Sequence, residues 1–186
     1  MCILSLNVRG LGGLAKQKSL RHLFSSLSPD VVLLQETMTS TYLALLAFSK
    51  LCLSWEFYAI SSSRLSGGIL SGWNPKLIKC KAYHTVAGIL LKAMIHGSTF
   101  PLSILNCYGP YHNREIFWNS VASGGLLSLP NLILVGDLNL TLNVSEIWGS
   151  KAQLNPLGPF SVSYSSIISW WMWPLLTLDL LGGMEL

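Results

Sequence analysis

The chain has 186 residues, 51% of them hydrophobic and only 11% charged, with a formal net charge of +4. That length fits one domain with a real core, and the mild basicity permits a nucleic-acid partner without demanding one. Four cysteines without Cys-x-x-Cys spacing exclude the usual zinc site; they read as reduced core residues (Cys2, Cys52, Cys80, Cys107) of an intracellular protein.

In chain order, Ile3 to Gly10 reads as a strand entered directly from Met1, with no signal peptide, running into a glycine-rich loop at Gly10, Gly12 and Gly13. Leu20, Leu23, Phe24 and Leu27 recur at helical spacing and predict an amphipathic helix over Ala15–Ser26. Pro29 to Thr37 is an apolar strand ending in Gln35-Glu36, with Asp30 as turn chemistry rather than a ligand. A second helix is expected over Thr41–Leu51. Strands follow from Phe57 to Tyr108, with turns at Ser66-Gly67-Gly68 and Trp73-Asn74-Pro75 and an end at Tyr108-Gly109-Pro110. A third helix is expected over His112–Val121. Leu132 to Val135 then gives a strand apolar enough to be covered on both faces, turning at Gly136 into Asp137-Leu138-Asn139.

Each of four strands therefore places a polar residue just past an apolar run: Asn7, Glu36, Tyr108, and Asp137 with Asn139. In layered α/β folds such strand ends converge on one crevice. A carboxylate can accept a proton there, and a neighbouring amide can hold a phosphate oxygen. Each residue also has a plainer reading: Glu36 as a solvated strand end, Asn7 as a turn cap, Tyr108 as packing before a proline turn, and the Gly-Asp-x-Asn as a turn.

Taken in order, "LNVRGLG", "LLQET", "SGGILSGW", "NCYGPY" and "VGDLNL" resemble the endonuclease/exonuclease/phosphatase (DNase I-like) superfamily. They look closest to the endonuclease domain of plant LINE-type non-LTR retrotransposons. The resemblance implies an α/β fold, a four-layer α/β/β/α sandwich. It assigns Glu36 and Asn7 to a metal, Mg2+ or Mn2+, and Tyr108 to the scissile phosphate. Asp137 would orient or deprotonate the attacking water, and Asn139 would contact phosphate. A hard cation held by one or two carboxylates plus substrate phosphate suits these residue types. DNA is the implied partner and the nucleus the implied location; a monomer is expected. Arg9, His112 and Lys16 are candidate nucleic-acid contacts, whereas the lysine groups at 16, 18 and 76, 79, 81 also fit solvated faces.

The family pattern is incomplete here. Its members carry a C-terminal aspartate for the metal and an Asp-His pair, but none of the four histidines follows an aspartate or lies beyond Asp137. His22 falls on a helix, and His84 and His96 on expected strands. The later acids, Glu146, Asp179 and Glu185, sit in no recognisable motif.

The end of the chain suggests a cause. Trp170-Trp171-Met172-Trp173-Pro174 has nearly fixed codons, TGG TGG ATG TGG CCN, which read one nucleotide earlier encode x-Val-Asp-Val-Ala, a phrase that suits the family. Asp179 to Glu185 in that frame permits another, Pro-Thr-Trp-Arg-Asn-Gly. The reading is an incomplete, C-terminally truncated domain over 1–160 and an unrelated hydrophobic tail over 161–186, produced by a frameshift. A membrane anchor is the rival reading of Ile167 to Leu181, but the run is short for a spanning helix and holds Pro174 and Asp179.

Three functions follow. The first is a Mg-dependent phosphodiesterase or DNA endonuclease impaired by the missing Asp-His motif. The second is a non-catalytic transposon-derived remnant. The third is a phosphatase acting on a small phosphate ester or phosphoinositide.

Overall fold

The computed structural model describes residues 1–63 and 66–139. The boundary at 160, the hydrophobic tail and the acids at 146, 179 and 185 lie outside them.

The first sheet has the order β1-β2-β4-β3, from β1 (Ile3–Asn7), β2 (Val31–Gln35), β3 (Glu56–Ser63) and β4 (Ser66–Trp73). The second has the order β5-β6-β7-β8, from β5 (Ile78–Thr85), β6 (Gly88–Ile95), β7 (Pro101–Tyr108) and β8 (Leu132–Asp137). Each sheet is mixed. β1 runs parallel to β2, and β7 parallel to β8, while the remaining pairs are antiparallel. Both parallel pairs are joined through a helix, as parallel strands require.

Side chains alternate across each strand, so each sheet has two apolar faces. Val31, Leu33, Ile69, Trp73, Ile89, Leu91 and Ile104 fill the space between the sheets. On the outer face of the first sheet, α1 (Leu14–Leu27) and α2 (Thr41–Leu51) bury Leu20, Phe24, Ala44 and Phe48 against Val32, Leu34 and Leu70. Phe48 centres that layer, edge-on to Phe24, Trp55 and Phe57 with centroids 6.3, 6.2 and 5.4 Å away. On the outer face of the second sheet, α3 (Arg114–Ser123) sets Trp118 and Val121 on Leu90, Leu105 and Cys107. The layers thus run helix, sheet, sheet, helix, the α/β/β/α sandwich that the resemblance implies.

The expected elements are present with shifted ends. The first helix is one residue longer at each end, the second has the expected bounds, and the third begins at Arg114 rather than His112. Ser40 caps α2 by accepting from the Leu43 N–H at 3.3 Å.

Four expectations need correction. Ser66-Gly67-Gly68 is not a turn but the start of β4, where the positive φ of both glycines (78° and 79°) bends a paired strand. β8 is half-buried rather than buried, because among the described residues it pairs only with β7. Cys2 is exposed, since it precedes β1 and is held through its backbone, its N–H by the Asp30 carboxylate and its carbonyl by the N–H groups of Asp30 and Val31. His96 lies in the turn after β6.

Candidate functional site

The site grows from the alternation of the strands. Ile3, Ser5 and Asn7 form the inward row of β1, Ile104, Asn106 and Tyr108 that of β7, and Val135 precedes Asp137 on β8. Each row is apolar low in the sandwich and polar at its upper end. Register sets these ends level: Asn7 is opposite Gln35, and Tyr108 opposite Asp137.

Two contacts then cross between the sheets. The Asn7 side-chain amide donates to Asp137 Oδ2 at 2.7 Å. The Tyr108 hydroxyl donates to Glu36 Oε1 at 3.2 Å. The structure therefore gathers Asn7, Glu36, Tyr108, Asp137 and Asn139, from four strand ends far apart in sequence, at one end of the sandwich.

Glu36 is there by a departure from alternation. It follows Gln35, whose side chain faces inward, so a continued strand would aim Glu36 at the outer helices. Its left-handed φ of 52° turns the carboxylate toward Tyr108 instead. Such a conformation costs a non-glycine residue on the order of 1–2 kcal/mol and persists only where its surroundings hold it. The flanking backbone does so. Val8, Gly10 and Leu11 donate to the carbonyls of Gln35, Glu36 and Thr37, and Thr37 and Met38 donate to those of Gly68 and Gly67. Glu36 is consequently buried.

Asn139 is fixed by a second clamp. Its side-chain amide donates to the Gly109 carbonyl at 2.6 Å, and its own carbonyl accepts from Arg114 at 3.0 Å. Asn139 also has a left-handed φ, 47°, which asparagine tolerates better than most residues. Just before it, Gly136 has a φ of 135°, and a Cβ there would fall on the Cys107 carbonyl oxygen. Only glycine lets β8 lie against β7 at this point.

The electrostatics are those of a partly dehydrated acidic crevice. Burial pushes the Tyr108 phenol up from 10.0 to about 12, helped by the charge of Glu36, by the hydrogen bond to it, and by Tyr111 and Asp137. Cys107, below the crevice, is raised to about 12 by burial and then by the Asp137 charge. Tyr108 is therefore a neutral hydrogen-bond donor at ordinary pH. A hollow of about 240 Å³ opens beside it, lined by Ser61, Gly67, Gly68, His84, Thr85 and Gly88 among others.

The candidate nucleic-acid contacts divide. Arg9 is exposed at the rim, with its backbone N–H on Asn7 Oδ1 at 3.2 Å. Lys16 is engaged within the chain, its ammonium donating to the Val8 carbonyl at 2.7 Å. His112 is exposed in the loop after β7. Lys79 and Lys81 lie with Lys92 along a different hollow, of about 400 Å³, bordered by Pro130 at the start of β8 and so away from the crevice. Two features escaped the sequence reading: Arg114, with no motif to flag it, and the buried amides of Gln35 and Asn106.

Among the described residues no three His, Cys, Asp or Glu side chains cluster tightly enough to hold a metal by themselves. The donors that are present are nonetheless hard oxygens, with Glu36 Oε1 accepting from Tyr108 and Asp137 Oδ2 from Asn7. A Mg-type cation needs only one or two carboxylates when substrate phosphate and water complete its shell. Glu36 and Asp137 fit that requirement.

Comparison with known proteins adds a family and a fold. The model of the Endonuclease/Exonuclease/phosphatase family matches residues 4–180. No curated protein matches the sequence. Among solved structures, an AP endonuclease from Leishmania major is 18% identical, with a TM-score of 0.59, over 80% of this chain and 58% of its own. A humanized Danio rerio TDP2 is 19% identical, with a TM-score of 0.53, over 75% and 62%. A mannosyl-6-phosphatase from Bacteroides thetaiotaomicron is 10% identical, with a TM-score of 0.57, over 74% and 64%. The chain thus spans about three-fifths of the length of these structures, and at such identities the likeness concerns the fold alone.

Proposed function

We propose, from the premise that this chain belongs to the endonuclease/exonuclease/phosphatase family, that its crevice is a divalent-metal phosphodiesterase site for DNA with slow turnover. The observation that carries this reading is that Glu36 and Asp137, at strand ends of opposite sheets, are each bonded to a polar residue of the other sheet. The motif order supports kinship with LINE-type retrotransposon endonucleases. The DNA-processing neighbours support a nucleic-acid substrate.

The residues divide the work. Glu36, with Asp137 near it, would hold Mg2+ or Mn2+, which when bound offsets charge on the phosphate oxygens and on the leaving oxygen. Asp137 orients the attacking water and takes its proton; the Asn7 amide on Oδ2 fixes the carboxylate's direction. Tyr108, kept neutral by burial and by Glu36, would turn its O–H from Glu36 Oε1 to a phosphate oxygen once the carboxylate is taken up by a cation. Asn139 completes the phosphate cradle from a strand end held by Gly109 and Arg114.

Slow turnover follows from the frameshift reading of 161–186, in which the segment that carries the family's Asp-His pair is replaced. A positioned acid or base is worth about 10²- to 10⁴-fold. The frameshift reading of 161–186 accounts for that loss, and the coding DNA tests it: read in the shifted frame, it must continue into further family motifs.

The deciding assay is nicking of supercoiled plasmid by purified protein with Mg2+ and with EDTA, alongside Glu36→Ala and Asp137→Ala. Weak nicking that disappears with EDTA and in both variants is expected. Nicking indifferent to the metal or to both carboxylates would overturn the proposal. The frameshift reading also leaves open a non-catalytic remnant, which folded protein that never nicks would support. Preference for a small phosphate monoester over DNA would instead make the site a phosphatase.

A further inference from the structure

Directly beneath the crevice the space between the sheets stops being apolar. The inward row of β2 runs Val31, Leu33, Gln35, and that of β7 runs Ile104, Asn106, Tyr108. At the level of Gln35 and Asn106 the hydrocarbon contact gives way to a hydrogen-bonded bridge. Gln35 Nε2 donates to Asn106 Oδ1 at 2.7 Å and also reaches Ser5 Oγ at 3.1 Å and the Leu33 carbonyl at 3.2 Å. Asn106 Nδ2 donates to the Leu70 carbonyl at 3.0 Å and to Ser71 Oγ at 3.1 Å. Gln35, Asn106 and Ser71 are each at most 1% exposed. The bridge ties β1, β2 and β4 of one sheet to β7 of the other.

Its place gives it a consequence for the site. Gln35 is bonded in register to Asn7 and precedes Glu36; Asn106 is two residues before Tyr108 on the same face. The Asn7–Asp137 contact crosses the same gap from beside Gln35, and the Tyr108–Glu36 contact crosses it from the residues just beyond Asn106 and Gln35. Apolar packing is non-directional and lets sheets slide by fractions of an ångström, whereas a hydrogen bond falls off steeply with angle. A constellation of this kind must be held to within about 0.5 Å.

We propose that Gln35 and Asn106 are positioning residues: their amide bridge sets the spacing and register of the two sheets, and thereby holds Glu36 and Asn7 against Tyr108 and Asp137. Burying two amides is a costly way to fill a core position that leucine would fill, and a matched pair replaced by apolar groups of similar shape is often nearly neutral for stability. The bridge is thus better explained by geometry than by stability. The metal and turnover readouts rest on the phosphodiesterase reading; the geometric readout does not.

The test compares the wild type with the apolar pair Gln35→Leu/Asn106→Leu and the exchanged pair Gln35→Asn/Asn106→Gln. The apolar pair, which also strips the amide donors from Ser5 Oγ and Ser71 Oγ, is expected to melt cooperatively at a lower temperature than the wild type. Its Mn2+ affinity and kcat for plasmid nicking should fall at least about tenfold with KM little changed; a 1 Å misplacement can cost about 100-fold. The NMR signal of the Asn7 carboxamide, identified by its loss in Asn7→Ala, should move toward its unbonded position. The exchanged pair, which keeps an amide on each side, should recover part of every readout. A folded apolar pair with unchanged Mn2+ affinity and an unmoved Asn7 signal would overturn the proposal. Should that pair not fold, Asn106→Ser, small enough to admit a water, takes its place, and the same unchanged readouts would overturn it. If Glu36→Gln leaves Mn2+ binding intact, the metal reading fails, while the Asn7 signal still decides on the bridge.

Discussion

Glu36 and Tyr108 make the sharpest quantitative prediction, because the phenol reports the carboxylate beside it. Burial is the first cause of the rise of Tyr108 to about 12, followed by the Glu36 charge and the hydrogen bond to Glu36. Glu36→Gln keeps an acceptor oxygen but removes the charge. A unit charge at about 4 Å is worth about 4 kcal/mol at an effective dielectric constant of 20 and about 1 kcal/mol in bulk water. Tyr108 stands on the wall of an open crevice, so solvent screening puts the effect toward the lower figure. At 1.36 kcal/mol per unit, the phenol should fall by about one unit and stay above 10 because burial remains.

The sign for stability follows. A phenol held above its unfolded value favours the protonated native state, so its contribution is complete below pH 10 and is lost as pH rises through about 12. That loss should be shallower in Glu36→Gln. The assay is near-ultraviolet phenolate absorbance after rapid pH jumps, taken as the difference from Tyr108→Phe to remove the other five of the six tyrosines. Added salt should lower the wild-type value and leave the variant nearly unmoved. A Tyr108 that titrates near 10 in the wild type, or does not respond to Glu36→Gln, would refute the contact.

Three other expectations are independent of this pair. Gly136→Ala forces a Cβ onto the Cys107 carbonyl at a φ of 135°, and should lower stability by at least about 2 kcal/mol, read as a shifted urea midpoint with an unchanged m-value. Phe48→Ala empties the centre of the outer aromatic cluster and should cost about 3–5 kcal/mol in the same experiment. Of the cysteines, only exposed Cys2 should react quickly with a thiol reagent at mildly alkaline pH, as counted by mass spectrometry. Burial raises Cys52 to about 11 and Cys80 and Cys107 to about 12, which leaves almost no thiolate to attack.

Much of the fold was legible because its signals are local. Short apolar runs bounded by turns marked the strands, the 3.6-residue spacing of Leu20, Phe24 and Leu27 marked α1, and the polar residue closing each apolar run marked the crevice. What was not legible depends on pairing or on a single dihedral angle. Ser66-Gly67-Gly68 has the composition of a turn, yet its glycines bend a strand whose carbonyls secure Thr37 and Met38. Arg114 carries no motif, and its role in holding Asn139 exists only once α3 is folded against β8. Gln35 and Asn106 each look like an ordinary polar strand residue, and only the face-to-face packing of two sheets makes them partners.

Glu36 shows how function is written over the pattern. Alternation alone would send its carboxylate to the helical face, where it would be a buried charge among Leu34, Phe48 and Leu70. One left-handed residue reverses that, and the chain secures the strained turn with a run of backbone hydrogen bonds from the β1 loop and to β4. The same device recurs at Arg9, Met38 and Asn139, all with φ between 44° and 52° and all at the crevice end of the sandwich. Among the described residues Ser28, Ser54, Asn113 and Asn131 are left-handed too, in connections elsewhere, whereas these four lie within three residues of the ends of β1, β2 and β8. The amides of Gln35 and Asn106 tie the two sheets together just before these strand ends.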